Sequence, residues 1–290
     1  DILHARALKR LEIHALEKLE QSELYDYQQD VVHRIKDFLQ YPEYEKSGLP
    51  IRHGYIKLPT ATGKTAIFAH TVQEITNHIS GEQKRLKTLV LVPGRDLVGQ
   101  TIGAVGQPEN DVEVEEMTRG FAKFAPVMEV TEYHGSKKDL SGDVVVMTYQ
   151  SLHKAVREGR FDTAMFDIVV GDEIHRGLGT ATMTSVSRVI ENKIAIGFSA
   201  TTEYGRNKTV KDLMPTEIYR LELREAVDKG YLAPIRAIAI TTGDTLTASN
   251  SGDFKEADLA KLITSEWRNK TAIDIARDFV AEDQQGIITC

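Results

Sequence analysis

The sequence has a single cysteine, Cys290, which excludes an intrachain disulfide and any zinc site built on several cysteines. It has no apolar run near the roughly 18 residues that a membrane helix needs; Thr88 to Val92 is typical of its apolar stretches. Its first residues, Asp1-Ile2-Leu3-His4, show neither the basic cluster nor the apolar stretch of a secretory leader. Internal repeats and low-complexity tracts are also missing. So is an excess of basic charge: 36 Lys and Arg face 43 Asp and Glu, a net charge of −7. That balance excludes a surface that holds a polyanion by bulk electrostatics. It leaves open a groove that binds through backbone amides and a few cations. A cytoplasmic protein with no membrane partner is the expectation.

What is present is ordered by period. Leu8, Leu11, Ala15, Leu16 and Leu19 make one apolar stripe, so residues 1–23 are expected to form a helix that packs on the main body. A second amphipathic helix follows Tyr25-Asp26-Tyr27-Gln28, with Val31, Val32, Ile35, Phe38 and Leu39 inward. Strands are expected at His53 to Leu58, Thr88 to Val92, Asp143 to Met147, Asp167 to Val170 and Lys193 to Phe198. Their apolar runs are continuous, as in strands covered on both faces. Helices are expected between them, at Lys64 to Ile79, Asp96 to Ala104, Tyr149 to Glu158 and Ala181 to Ile190. This alternation predicts an α/β fold, a mainly parallel sheet with helices on both faces, whose ligands bind at the carboxyl ends of the strands. Beyond it, Leu221 to Lys229 reads as a helix, Ile235 to Thr242 as a strand and Thr242 to Gly252 as a linker. Trp267 to Ala281 reads as a helix, and Gly286 to Cys290 as the start of a strand that the chain leaves unfinished.

Three polar clusters sit at expected strand ends. In Leu58-Pro59-Thr60-Ala61-Thr62-Gly63-Lys64-Thr65 a strand runs through a turn into Gly-Lys-Thr at a helix start. Backbone N–H groups and the helix dipole there suit phosphate. Lys64 would reach the β and γ phosphates and Thr65 would ligate Mg²⁺, although Leu58 stands where the usual pattern has glycine. In Gly171-Asp172-Glu173-Ile174-His175, 108 residues after Lys64, an apolar strand ends in paired carboxylates. Asp172 suits Mg²⁺, and Glu173 suits polarising a water. In Ser199-Ala200-Thr201, two hydroxyls flank a small residue. Taken singly, this last cluster is an ordinary turn.

In this order the clusters resemble motifs I, II and III of the superfamily 2 helicases, in their DExH form. The resemblance runs from Leu24 to Ile240 and implies a RecA-like P-loop NTPase domain that binds ATP and Mg²⁺. It assigns Thr60, Ala61, Thr62, Gly63, Lys64 and Thr65 to the nucleotide, and Asp172, Glu173 and His175 to the DExH box. Ser199 and Thr201 become coupling residues. Tyr25 and Gln28 fall at the glutamine motif that reads adenine, with Tyr25 where this branch carries arginine, so a stacking contact is implied. Pro93, Gly94, Arg95 and Gln100 fall in motif Ia, and Thr148, Tyr149 and Gln150 in motif Ib; both motifs lie along the bound nucleic-acid strand. Arg95 and Lys154 supply charge. The Thr148-to-Leu152 form and the Leu223-to-Leu232 segment are similar to the restriction-motor and repair branch, which implies DNA rather than RNA. Residues 24–240 would then be RecA-like domain 1, and 241–290 a linker and the opening of a second RecA-like domain cut short in this chain. That second domain carries the arginine finger, so these residues alone would bind nucleotide but hydrolyse it slowly. The same motifs also serve nucleotide-dependent clamps that separate no strands, and that alternative stays open at this point.

Overall fold

In the computed structural model the described residues are 24–41, 44, 50–79, 86–103, 120–125, 128–205, 207–234, 260 and 265–279. The helix expected in 1–23, the strand Ile235 to Thr242, the linker Thr242 to Gly252 and the strand Gly286 to Cys290 lie outside them. The chain divides into two units, residues 1–234 and 235–290.

The first unit is built on one eight-stranded sheet. Its strands are β1 (His53–Lys57), β2 (Thr88–Val92), β3 (Val130–His134), β4 (Lys137–Lys138), β5 (Val144–Thr148), β6 (Ile168–Asp172), β7 (Ile194–Ser199) and β10 (Thr216–Arg220). The spatial order is β10-β1-β7-β6-β2-β5-β3-β4. Every pairing is parallel except that of β3 with β4. A small antiparallel pair, β8 (Glu203–Tyr204) with β9 (Lys208–Thr209), stands apart from it.

The helices are α1 (Asp26–Gln40), α2 (Lys64–Ile79), α3 (Arg95–Ile102), α4 (Gly120–Phe124), α5 (Tyr149–Arg157), α6 (Met183–Ile190) and α7 (Leu223–Asp228). They cover both faces, and the sheet's side chains alternate between two cores. Val90, Val92, Val144, Val146, Ile168 and Val170 join Val31, Ile35, Ile67, Phe68 and Val72 from α1 and α2. Leu89, Leu91, Val145, Met147 and Val169 join Leu152 of α5 with Val186 and Val189 of α6. A strand buried on both faces must be apolar at every position, which is why β2 and β5 read as unbroken runs. Period-two alternation then divides each run between the cores.

β10 and β4 form the edges of the sheet. β3 and β10 were not among the expected strands. They are only partly buried, and Val130-Thr131-Glu132-Tyr133-His134 and Thr216-Glu217-Ile218-Tyr219-Arg220 carry the polar residues that such positions tolerate. Among the described residues of the second unit is one helix, α8 (Glu266–Phe279), with Trp267 and Ile273 exposed. No helix among the described residues is long and apolar enough to cross a membrane.

Candidate functional site

The sheet order sets β1, β7 and β6 side by side, so the three polar clusters emerge at neighbouring carboxyl ends. At the end of β1, Leu58 is wholly buried, and its N–H donates to the Ser199 carbonyl at 3.0 Å, one step beyond the strand. The position that usually holds glycine is thus core here, and the turn proper runs from Pro59 to Gly63. Ala61 and Gly63 both adopt left-handed backbone, at φ 67° and 72°. Turns of this kind aim N–H groups into a concavity that suits anions, here directly ahead of α2.

The turn is braced from below by α1. Tyr27 Oη and Gln28 Nε2 both donate to the Thr62 carbonyl, at 2.8 and 3.0 Å. The Thr62 hydroxyl donates to Pro59 O at 2.7 Å. Thr62 and Gln28 are buried, so both act here as scaffold. Thr60, Ala61 and Gly63 are exposed, while Lys64 and Thr65 are half-buried. Beside the brace, the exposed ring of Tyr25 lies parallel to that of Tyr27, with centroids 6.1 Å apart. A flat ring so placed can stack on a base.

Lys64 reaches the acidic cluster. Its Nζ lies 2.5 Å from Glu173 Oε1. Glu173 holds φ 46° and ψ 53°, a left-handed conformation costing roughly 1–2 kcal/mol in a residue with a Cβ. Strain of this kind collects at functional sites and persists only where the surroundings hold it. Glu173 Oε2 accepts from Ser199 Oγ at 3.3 Å and lies 3.4 Å from His175 Nδ1. His175 Nδ1 is 2.7 Å from Ser199 Oγ and 3.3 Å from Thr201 Oγ1. The three clusters therefore form one hydrogen-bonded site.

The two carboxylates diverge in acidity. Burial pushes Asp172 up to about 6; the charge of Glu173 adds to this and Lys64 opposes it. Burial also raises Glu173, but hydrogen bonds from His175 and Lys64 outweigh it and hold that group at about 2. A desolvated carboxylate beside an ionised one is a place where a dication relieves unfavourable charge. Among the described residues no cluster of three or more His, Cys, Asp or Glu is placed to hold a metal. A cation here would therefore complete its shell with phosphate oxygens and water, as Mg²⁺ does. The desolvated carboxylate of Asp172 fits such an ion as a protein ligand.

A second feature opens beside β2 and β5. Pro93, Gly94, Arg95, Thr148 and Gln150 line one groove of about 490 Å³. It lies at the start of α3 and α5, where N–H groups without helical partners face a ligand. Thr148 caps α5, accepting from Ser151 N at 3.1 Å. The groove also holds Lys138, Lys154 and Arg160 against one acid, Glu158, so it is locally basic on an acidic chain. Sequence reasoning missed Lys138 and Arg160. The Lys137-Lys138 pair just after Gly135 was the available signal. Lys138 sits 4.2 Å over the Tyr133 ring; burial and the cations of Lys154 and Arg160 lower its pKa.

Two expected groove residues lie elsewhere. Gln100 is exposed on α3 but does not line the groove. Tyr149 is 1% exposed and its side chain points away from the groove, so only its backbone lies on the groove side. It starts a helix whose first turn must face both ways, and its aromatic ring takes the buried side.

Comparison with known proteins agrees with this geometry. Residues 21–204 match the family model described as type III restriction enzyme, res subunit. The chain is 24% identical over 262 residues to IRC3 of Saccharomyces cerevisiae, a protein assigned as an ATP-dependent helicase; the match covers 86% of this chain and 34% of IRC3. The chain thus spans about a third of the length of that curated relative. Among solved structures, the Hef helicase domain of Pyrococcus furiosus superposes with a TM-score of 0.50 at 19% identity, over 76% of this chain and 42% of that one. The UvsW helicase of bacteriophage T4 gives 0.44 at 21% identity, over 71% and 65%. The family model takes in the turn at Lys64, the carboxylates at Asp172 and Glu173 and the hydroxyls at Ser199 and Thr201, and the chain belongs to the type III restriction enzyme res-subunit family, its first unit having a RecA-like fold.

Proposed function

We propose that this chain is the ATP-binding half of a motor that couples ATP hydrolysis to movement along, or separation of, nucleic-acid strands, with DNA as the track. The observation that carries the reading is the 2.5 Å contact between Lys64 and Glu173, made across 109 residues of sequence at the rim of one sheet. Ser199 and Thr201 close the same cluster. In this reading the exposed turn and Lys64 hold the phosphates, Thr65 and Asp172 hold Mg²⁺, and Tyr25 stacks on adenine. Mg²⁺ supplies charge neutralisation, and ATP supplies the phosphoanhydride bond that water cleaves.

The chain's own residues do the rest. Lys64 exchanges its carboxylate partner for phosphate oxygens, which releases Glu173. Without the Lys64 hydrogen bond one of the causes holding Glu173 at about 2 is gone, and its basicity rises. Glu173 then orients and deprotonates the attacking water, while His175, Ser199 and Thr201 hold it in place. Arg95, Lys138 and Lys154 meet backbone phosphates in the groove. The family's restriction-enzyme name and the Thr148-to-Leu152 form favour DNA. We assign residues 241–290 to the linker and the opening of a second RecA-like domain, and the arginine finger to a later part of that domain, and we place the protein in the cytoplasm.

The test is nucleotide titration and turnover on the 290 residues. Tight Mg·ATP binding with slow turnover is expected, because an arginine finger contributes about 10³ to 10⁵ in rate in related enzymes. Lys64→Ala is expected to lose that binding with the fold retained. Unchanged affinity in Lys64→Ala would remove the basis of the assignment.

A further inference from the structure

We propose that Tyr149 is a positioning residue that transmits occupation of the groove to the acidic loop of the nucleotide site. The inference rests on the reading of groove and site given above.

Tyr149 stands between Thr148 and Gln150, both of which line the groove. Its side chain runs the other way, into the core, and its hydroxyl donates to the Asp172 carbonyl at 2.8 Å. That carbonyl belongs to the peptide joining Asp172 to Glu173. The N–H of the same peptide donates to Asp172 Oδ1 at 3.1 Å. One peptide is therefore clamped at both ends, and it leads directly into Glu173 with its left-handed backbone. Such a conformation lasts only when neighbours hold it, and Tyr149 is the neighbour that comes from the groove side.

Two glycines make room for the ring. A Cβ at Gly171 would meet Tyr149 Oη at 3.0 Å, and one at Gly177 would meet Tyr149 Cε1 at 3.4 Å. The contact is thus tight on both sides, and close-packed interiors pass on small shifts. A tyrosine has two side-chain torsions, and this one is buried, so it acts as a stiff lever. A phosphate that draws in the first turn of α5 moves the Tyr149 backbone, and the hydroxyl carries that shift to the peptide before Glu173. Small displacements there matter because water must be aligned for attack. The Ser199 hydroxyl meets the Glu173 carboxylate, whereas Tyr149 holds the peptide before Glu173, so Tyr149 offers a separate route between the two sites.

The experiment is Tyr149→Phe in the intact protein carrying both motor domains, with thermal unfolding to verify the fold. Affinities for Mg·ATP and for a labelled DNA oligonucleotide are measured, then ATPase rates with and without the oligonucleotide. The expected result is affinities within about twofold and a stimulation ratio lowered about tenfold, the size of one hydrogen bond. A residue that only stabilised the loop would lower both rates together and leave the ratio unchanged, and that result overturns the proposal. A second measurement needs no variant: oligonucleotide binding to the wild type should change hydrogen exchange at the Asp172–Glu173 peptide, and no change there also overturns it. The two readings fail differently. If wild-type ATPase is not stimulated by DNA or does not depend on Lys64, the motor reading itself is wrong and this inference falls with it; if stimulation is present and only the ratio is unmoved, Tyr149 alone was misjudged.

Discussion

Replacing Asp172 with Asn is expected to make the nucleotide-free protein more stable while disabling its site. Burial, aided by the charge of Glu173 and opposed by Lys64, raises the Asp172 carboxyl from an ordinary 3.8 to about 6. The folded protein therefore holds that proton more tightly than the unfolded chain does. Above about pH 6 the ionised carboxylate is a net cost to folding. At 1.36 kcal/mol per unit the shift bounds that cost at about 3 kcal/mol, and partial solvent access brings it to roughly 1–2 kcal/mol. Asn keeps an oxygen for the Glu173 N–H, so the 3.1 Å bond survives the change. Asp172→Asn should then raise Tm at pH 8 by about 3–6 °C, taking about 3 °C per kcal/mol for a domain of this size. The sign with pH follows from the same shift: the gain shrinks as pH falls from about 6 toward 3.8, where wild-type Asp172 is itself protonated, and is gone below that. Glu173, held at about 2, titrates mainly below this window and is common to both proteins. Added Mg·ATP should raise the Tm of the wild type but not of the variant. The assay is thermal unfolding across pH with and without Mg·ATP. A variant no more stable than wild type at pH 8, or a gain indifferent to pH, would refute the claim that Asp172 is a desolvated acid.

Two further outcomes are expected. Gly63→Ala places a Cβ 2.5 Å from Gln28 Nε2 at a left-handed position of φ +72°. It should destabilise the domain by roughly 1–3 kcal/mol and weaken nucleotide binding, as urea unfolding and nucleotide titration would show; unaltered values in both would mean the turn is not held as described. Arg95→Gln with Lys154→Gln removes two groove cations. Salt titrations of duplex DNA binding should then lose about 1.8 from the slope of log affinity against log salt, whatever the DNA sequence. An unchanged slope would show that these cations do not meet phosphates.

Much of the fold was legible because its middle strands are buried on both faces. Thr88 to Val92 and Lys64 to Ile79 were read to the residue, since continuous apolar runs and a Gly-Lys-Thr helix start leave little ambiguity. β3 and β10 were not legible, because partly buried strands mix Glu, Thr and Arg with Tyr and Ile. The polar cluster of Lys64, Glu173 and Ser199 was legible through its place at strand ends. The groove was only half so: Lys138 arrives on a two-residue strand and Arg160 after the end of α5, and neither belongs to a recognisable pattern. The inward turn of the Tyr149 side chain was not legible, because a sequence names the residue but not the side of the helix it takes.

Sequence alone determined which polar residues stand at the strand ends: a lysine after a turn, two adjacent acids after an apolar strand, two hydroxyls after another. Local rules suffice there, since a strand end with polar residues must leave the core and expose them. Tertiary structure decided who meets whom. Sequence cannot say that the last of these strands, β7, inserts between β1 and β6. That order brings Ser199 to Glu173, makes Leu58 core, and leaves the Asp172 carboxyl buried enough to hold its proton to about pH 6. Strand order depends on which faces pack together across the whole sheet, and no short stretch of residues contains that information.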